Sequence, residues 1–245
     1  MSFDRWRSLV DGAEIDVGAA IPDSVVAQHS PDTFETNDGQ WDDDFGGDPF
    51  VVEEGSFESD VFADNSPSIF GTETDAMSRN WPIGGSDLQS WAIEFEIQYS
   101  SDNIDNGNQV VGSDDDDQEF FVNADVDEGF NDDQGNIRIT VDDNAGNRIR
   151  MAPSTNPGLN DGERHAVSIS YLDTTVPDVK VIIDGNDQAL SFDTKNSLDS
   201  FVNFDSGLGM WAIDRTGRGE GFRTPFEGHI GKTRIHDEGI EDQTI

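Results

Sequence analysis

Two glutamates stand two positions apart at Glu94 and Glu96, and in a pleated segment that spacing puts both carboxylates on one face. Glycoside hydrolysis needs such a pair, an acid and a nucleophile about 5 Å apart across the scissile bond. Arg79 offers different chemistry. It is the sole cation between positions 8 and 137, a stretch with 33 acids. A guanidinium grips a carboxylate through two parallel hydrogen bonds, so Arg79 is expected to pair with Glu94 or Glu96 across a sheet. Together with Trp81 it could also line a sugar groove, because saccharides stack on an aromatic face while a few planar polar groups fix their orientation. Arg79, Trp81, Glu94 and Glu96 are therefore the candidate carbohydrate-binding residues. The histidines, at 29, 165, 229 and 236, follow no metal-ligand spacing and define no Ser-His-Asp triad. They read as ordinary strand residues.

Strands must position these groups. In Trp91-Ala92-Ile93-Glu94-Phe95-Glu96-Ile97-Gln98-Tyr99 every odd position is large and apolar and every even one small or polar, the signature of a strand with one buried face. Similar runs occur at 120–122, 137–141, 148–151, 166–171, 179–183, 209–213 and 230–235. Turn residues separate them: Asn144-Ala145-Gly146 between two Arg-Ile strands, then Asp161-Gly162 and Asp184-Gly185. No convincing helix interrupts the series, which predicts an all-β, antiparallel two-sheet sandwich or jelly roll over residues 31–245. Residues 1–30 read as an N-terminal arm. Phe3, Trp6, Leu9 and Val10 fall on one side of a short amphipathic helix. Phe3, Arg5, Trp6 and Arg7 are the expected partner-docking residues, on a segment that orders against another chain.

The charge balance limits what such a body can bind. With 52 acids, 37 of them Asp, against 14 Lys and Arg, the chain carries −38 at pH 7. Residues 138–245 hold 11 of the 14 cations. A field of this sign opposes phosphate backbones and anionic lipid, so neither nucleic acid nor membrane insertion is expected. In dilute buffer carboxylates repel one another over a Debye length of about 10 Å, which molar salt shortens to about 3 Å. Such a surface resembles that of proteins from extreme halophiles and their viruses. The acidic runs 42–44 and 114–117 belong to this background. With no cysteine there is no disulfide framework and no thiolate site, and the first thirty residues show no secretory signal pattern.

Three segments in order carry a family resemblance. Asp161-Gly162-Glu163-Arg164-His165-Ala166-Val167-Ser168-Ile169-Ser170-Tyr171 resembles the "DG-x-W/R-H-x-V-x-φ-x-Y" strand of concanavalin A-like (laminin-G-like) jelly rolls. Val179-Lys180-Val181-Ile182-Ile183-Asp184-Gly185-Asn186 is similar to the hairpin that follows it there. Phe226-Glu227-Gly228-His229-Ile230-Gly231-Lys232-Thr233-Arg234-Ile235-His236 resembles the terminal "F-x-G-x-I-D-x-V-R-I-Y" strand, and Phe34-Glu35-Thr36-Asn37-Asp38-Gly39 the opening of many such domains. Gly231 departs from the usual Asp and Arg164 from the common Trp. The resemblance implies a lectin- or glucanase-type jelly roll. It also implies Ca²⁺ pinning the N-terminal segment to the closing strand, with Glu35, Asp38 and Asp237 as its oxygen ligands. The retaining-glucanase pattern E-x-D-x-x-E is broken, since position 96 is Glu and position 99 is Tyr.

The expected function is a non-catalytic virion surface module of a haloarchaeal virus, of the turret, spike or tail-fibre type. It would bind host surface glycans, neighbouring virion proteins and copies of itself as a homo-oligomer, or sit on the surface of a haloarchaeon. A glycoside hydrolase or lyase on the same fold and a purely structural capsid or tail component are the alternatives.

Overall fold

The computed structural model describes residues 21–72, 75–83, 90–100, 108–113, 119–124, 135–142, 148–173, 178–195, 207–211 and 226–245. Phe3, Arg5, Trp6 and Arg7, the acidic run 114–117 and the turn at 144–146 lie outside them.

The expected two-sheet antiparallel β-sandwich is what forms. Numbering strands along the chain, the first sheet runs β15 (Asn186–Asp187), β14 (Asp178–Ile183), β13 (His165–Asp173), β8 (Trp91–Gln98), β18 (Gly228–His236), β6 (Pro67–Gly71), β5 (Glu58–Val61). The second runs β16 (Leu190–Lys195), β12 (Arg148–Pro153), β11 (Ile137–Asp142), β10 (Glu119–Ala124), β9 (Asn108–Ser113), β17 (Leu208–Met210), β7 (Ala76–Arg79), β4 (Phe50–Glu54), β3 (Gln40–Trp41), β2 (Phe34–Glu35). The alternation at β8 works as its pattern requires, with Trp91, Ile93, Phe95 and Ile97 all buried between the sheets. From the second sheet, Phe120 and Val122 of β10, Ile137, Ile139 and Val141 of β11, and Ile149 and Met151 of β12 join the same core. Fully burying each of these side chains stabilises the fold by roughly 1.5–3 kcal/mol.

Two boundaries move. The arm was expected to extend to residue 30, yet Val25–His29 is a strand, β1, paired with Thr233–His236 of β18. Four of its five residues are buried, so it lacks the polar alternation that marks a one-sided strand. The run at 209–213 stops at Met210, because Trp211 adopts φ 62°, a left-handed conformation that ends a ladder. That turn drives the indole inward, where Nε1 donates to the Gly228 carbonyl at 3.2 Å. A Cβ at Gly71 would lie 2.5 Å from that nitrogen, so only glycine fits there.

The C-terminal segment closes the outer side of the first sheet. After β18 it passes β13, where the Ile240 amide donates to Ser170 Oγ at 2.7 Å. At β14, Lys180 pairs with Glu241 at 3.0 Å. It then returns to β8, where the Thr244 amide donates to Glu94 Oε1 at 2.7 Å.

Candidate ligand-binding face

The residues expected to form one sugar groove are separated. Glu94 was expected on a solvated face, but the returning C-terminal segment leaves it fully buried. Its Oε2 meets His236 Nε2 at 3.0 Å and also accepts from the Thr244 hydroxyl. His236 Nδ1 in turn lies 2.9 Å from Ser24 Oγ. With Nε2–H donating to the carboxylate and Nδ1 accepting from the serine, every polar atom of the ring is satisfied. Ser24, His236 and Glu94 form a chain of triad-like composition, but it is sealed between β1, β18, β8 and the C-terminal segment, with no room for a substrate. It acts as a clip. Glu96 is engaged as well: Oε1 accepts from Arg164 Nη1 at 2.9 Å and Oε2 from the Lys232 amide at 2.8 Å. That amide belongs to the irregularity where β18 shifts register against β8. Gly231 belongs here for the same reason, since a Cβ would lie 2.4 Å from Glu96 Oε2 and 2.5 Å from Phe62. Arg164, in place of the family's Trp, covers the Phe62 ring at 5.8 Å and pairs with Asp64 at 3.0 Å.

Arg79 does not meet Glu94 or Glu96, because β7 lies in the second sheet and β8 in the first. Its partner is Asp43, at 3.3 Å, with both side chains almost wholly enclosed. Arg79 Nη1 also donates to His29 Nε2, while His29 Nδ1 faces the carbonyls of Trp41 and Asp42 at 3.1 and 3.0 Å. Burial, then the neighbouring guanidinium, pushes His29 down to a pKa of about 4, so at neutral pH it is the uncharged tautomer this geometry needs. The cluster fastens the segment after β3 to β1 and β7. Trp81 is only partly buried and packs edge-on against Trp91 at 6.2 Å.

The calcium trio is divided too. Glu35 and Asp38 lie exposed at the β2 edge of the second sheet, whereas Asp237 follows β18 in the first. Among the described residues no three or more histidine or acidic side chains gather as a metal ion would require. The junction of N-terminal segment and closing strand is made instead by β1–β18 pairing and the Ser24–His236 contact. The Gly-rich connection at 215–223, expected to be a loop rather than a phosphate site, lies outside the described residues.

A different surface collects unmet polar groups. Phe120, Val122, Ile137, Ile139, Val141, Ile149 and Met151 point into the core, so the alternate residues of β10, β11 and β12 share the outer face of the second sheet. Pairing sets them in rows. One row runs Gln109, Asn123, Arg138 and the next Phe121, Thr140, Arg150. Arg148 follows two positions along β12. Directly opposed side chains in such rows lie about 5 Å apart at Cβ. Gln109 and Thr140 are nearly or fully buried. Gln109 Oε1, Thr140 Oγ1 and the Nε atoms of Arg138 and Arg150 are enclosed, with no hydrogen-bond partner among the described residues. Each such group costs about 1–3 kcal/mol when left unmet, and buried polar groups in folded chains are as a rule met by protein or ordered water. Burial lowers the pKa of Arg138, and repulsion from Arg150 and Arg148 lowers it further, against the attraction of Asp193. Arg150 holds Asp193 at 3.1 Å. Donors, acceptors and a half-buried aromatic ring on one sheet are the elements of saccharide recognition. The signal was present in sequence: Arg138-Ile139-Thr140 and Arg148-Ile149-Arg150 alternate against the core, and their arginines follow 130 positions that hold only Arg79.

No protein-family model and no curated protein sequence matches the chain. Solved structures do. Domain 4 of AbnA, a GH43 extracellular arabinanase from Geobacillus stearothermophilus, solved with arabinotriose, superposes with TM-score 0.60 at 17% identity, over 88% of this chain and 93% of that domain. The binding domain of botulinum neurotoxin serotype D gives TM-score 0.62 at 14% identity over 89% of this chain. A type C botulinum structure, described with cell entry that depends on two ganglioside molecules, gives 0.59 at 14% over 89%. The chain spans about half the length of the botulinum domains, 49% in each case. These similarities show a shared fold, a two-sheet β-sandwich.

Proposed function

We propose that this protein is a non-catalytic carbohydrate-binding module whose ligand lies on the outer face of the second sheet. The observation that carries the reading is the half-buried Phe121 ring on the same face as the part-exposed Arg138 and Arg150, a stacking surface beside polar side chains. That AbnA domain 4 holds arabinotriose on the same fold supports it. A non-catalytic role is favoured because Glu94 is sealed and Glu96 is held by Arg164 and the Lys232 amide, leaving neither carboxylate free to transfer a proton. Its setting, in this proposal, is concentrated salt on the surface of a halophilic virion, which the charge of −38 supports. There Phe3, Arg5, Trp6 and Arg7 dock onto other virion proteins or a second copy of the chain.

A glycan array probed with the full chain in about 2–3 M KCl, where screening is short-ranged, tests the reading. Retention of a defined glycan set, weakened by Phe121→Ala with unchanged circular dichroism, is expected. An array with nothing retained overturns it in favour of a purely structural capsid or tail component. Polysaccharide turnover abolished by Glu96→Gln would make the protein a hydrolase instead.

A further inference from the structure

We propose that His165 is a proton-operated latch: as an imidazolium it ties the Asp161–Gly162 turn to the Asp184–Gly185 turn, and on losing its proton it lets go of Asp161. This device is independent of glycan binding. His165 opens β13 with its side chain 11% exposed, lodged between two carboxylates. Nδ1 lies 2.7 Å from Asp184 Oδ2 and Nε2 lies 3.1 Å from Asp161 Oδ1. An ionised carboxylate only accepts, so both ring nitrogens must donate, and only the charged ring carries two N–H groups. Among the described residues no other charge faces the ring. Arg164 is turned away to Glu96 and Asp64, and β8 sets Ile97 opposite His165. Glu163 contributes its amide to Asp161 Oδ1 at 2.8 Å. The C-terminal segment brings the uncharged Gln243, whose Oε1 accepts from the Gly185 amide at 2.8 Å. Burial disfavours the charged ring, yet the hydrogen bonds to Asp184 and Asp161 outweigh it and raise the His165 pKa above 6.5. Asp161 answers in the opposite sense: slight burial would raise its carboxyl, but the Glu163 amide and His165 hold it below the ordinary range.

The two carboxylates are not held alike. Asp184, at φ 50°, and Gly185, at φ 72°, form the two-residue turn closed by the Ile183–Asn186 pair. The second oxygen of Asp184 accepts from the Ala166 amide at 2.9 Å. Asp161 instead offers the ring the same oxygen that already serves the Glu163 amide. A neutral ring therefore keeps its one proton on Nδ1, for the shorter bond to the better-held carboxylate. Its Nε2 lone pair then faces Asp161 Oδ1 and repels it. Because the folded-state pKa is raised, the stabilisation is complete below about 6.5 and is lost as pH rises through the folded value.

Ring-nitrogen NMR of the full ¹⁵N-labelled chain in about 2 M KCl, titrated from about pH 5.5 to about pH 9, tests the latch. His165 is expected to carry protons on both ring nitrogens at the acid end, to titrate above 6.5, and to keep the Nδ1 proton at the alkaline end. Asp161→Asn, which retains an acceptor and removes the charge on a half-exposed side chain, should shift the midpoint down, and Asp184→Asn should do the same. Between about pH 6 and about pH 8.5 the parent should lose more melting temperature than His165→Gln. The Asp161→Asn titration keeps the test open if His165→Gln fails to fold. A midpoint at or below 6.5, a midpoint indifferent to Asp161→Asn, or equal alkaline losses in parent and His165→Gln would each overturn the latch. A neutral ring that keeps its proton on Nε2 would overturn the release of Asp161.

Discussion

His29 shows how a single buried group ties stability to pH. Enclosed beside Arg79 and Asp43, it titrates near 4 in the folded chain, against 6.5 when unfolded. Between those values the unfolded chain binds a proton that the folded chain refuses, so stability falls as pH drops from about 6.5 to about 4. The loss is on the order of 3 kcal/mol. His29→Gln keeps an acceptor for Arg79 and removes the titration. Urea midpoints at pH 7.5 and 4.5 should therefore show the variant losing less on acidification than the parent; equal losses would mean that other groups carry the acid sensitivity. The same cluster explains why Arg79 was misjudged from sequence. A lone cation among acids must find a carboxylate, and it does, but which one depends on the sheet assignment of β7, and spacing does not encode that. Asp43 sat unremarked in an acidic run that looked like solvated background.

At the scale of elements, the C-terminal segment and β8 act as one unit through Glu94. The carboxylate accepts from the Thr244 amide and hydroxyl and pairs with His236, and removing charge from such a buried acceptor costs about 2–4 kcal/mol. Glu94→Gln should therefore lower the urea midpoint markedly in the intact chain, and much less in a chain ending at residue 242. The coupling between the two changes is expected to reach about 1 kcal/mol or more; additivity would show that the returning segment does not depend on Glu94. Strands with strict alternation, such as β8, β11 and β13, were legible because one face is core and the other polar. β1 was hidden because both its faces are covered, and the C-terminal segment because it binds by backbone and hydroxyl contacts that leave no periodic trace. The Arg-Ile strands were read for their pattern, and the shared face of Arg138, Thr140 and Arg150 emerged only once register aligned β11 with β12.

The whole molecule is governed by the mismatch between 52 acids and 14 cations. Among the described residues only Asp43, Asp75 and Glu94 are buried acids, Asp43 paired with Arg79. Self-repulsion of the acidic surface falls as the Debye length shrinks from about 10 Å at 0.1 M to about 3 Å at 1 M, while the apolar core between the sheets is present at any salt. The melting temperature should accordingly rise on the order of 10 °C or more between 0.1 and about 2 M KCl. Chloride must be separated from general exclusion effects, because excluded solutes also strengthen burial. Sucrose at matched osmolality supplies that comparison, since it is excluded from the surface yet screens nothing. If the melting temperature climbs as far in sucrose as in KCl, burial sets the response and the acidic surface does not. If KCl alone produces the rise, charge screening is what makes the sandwich stable, and the arginine face must bind its ligand in the same brine.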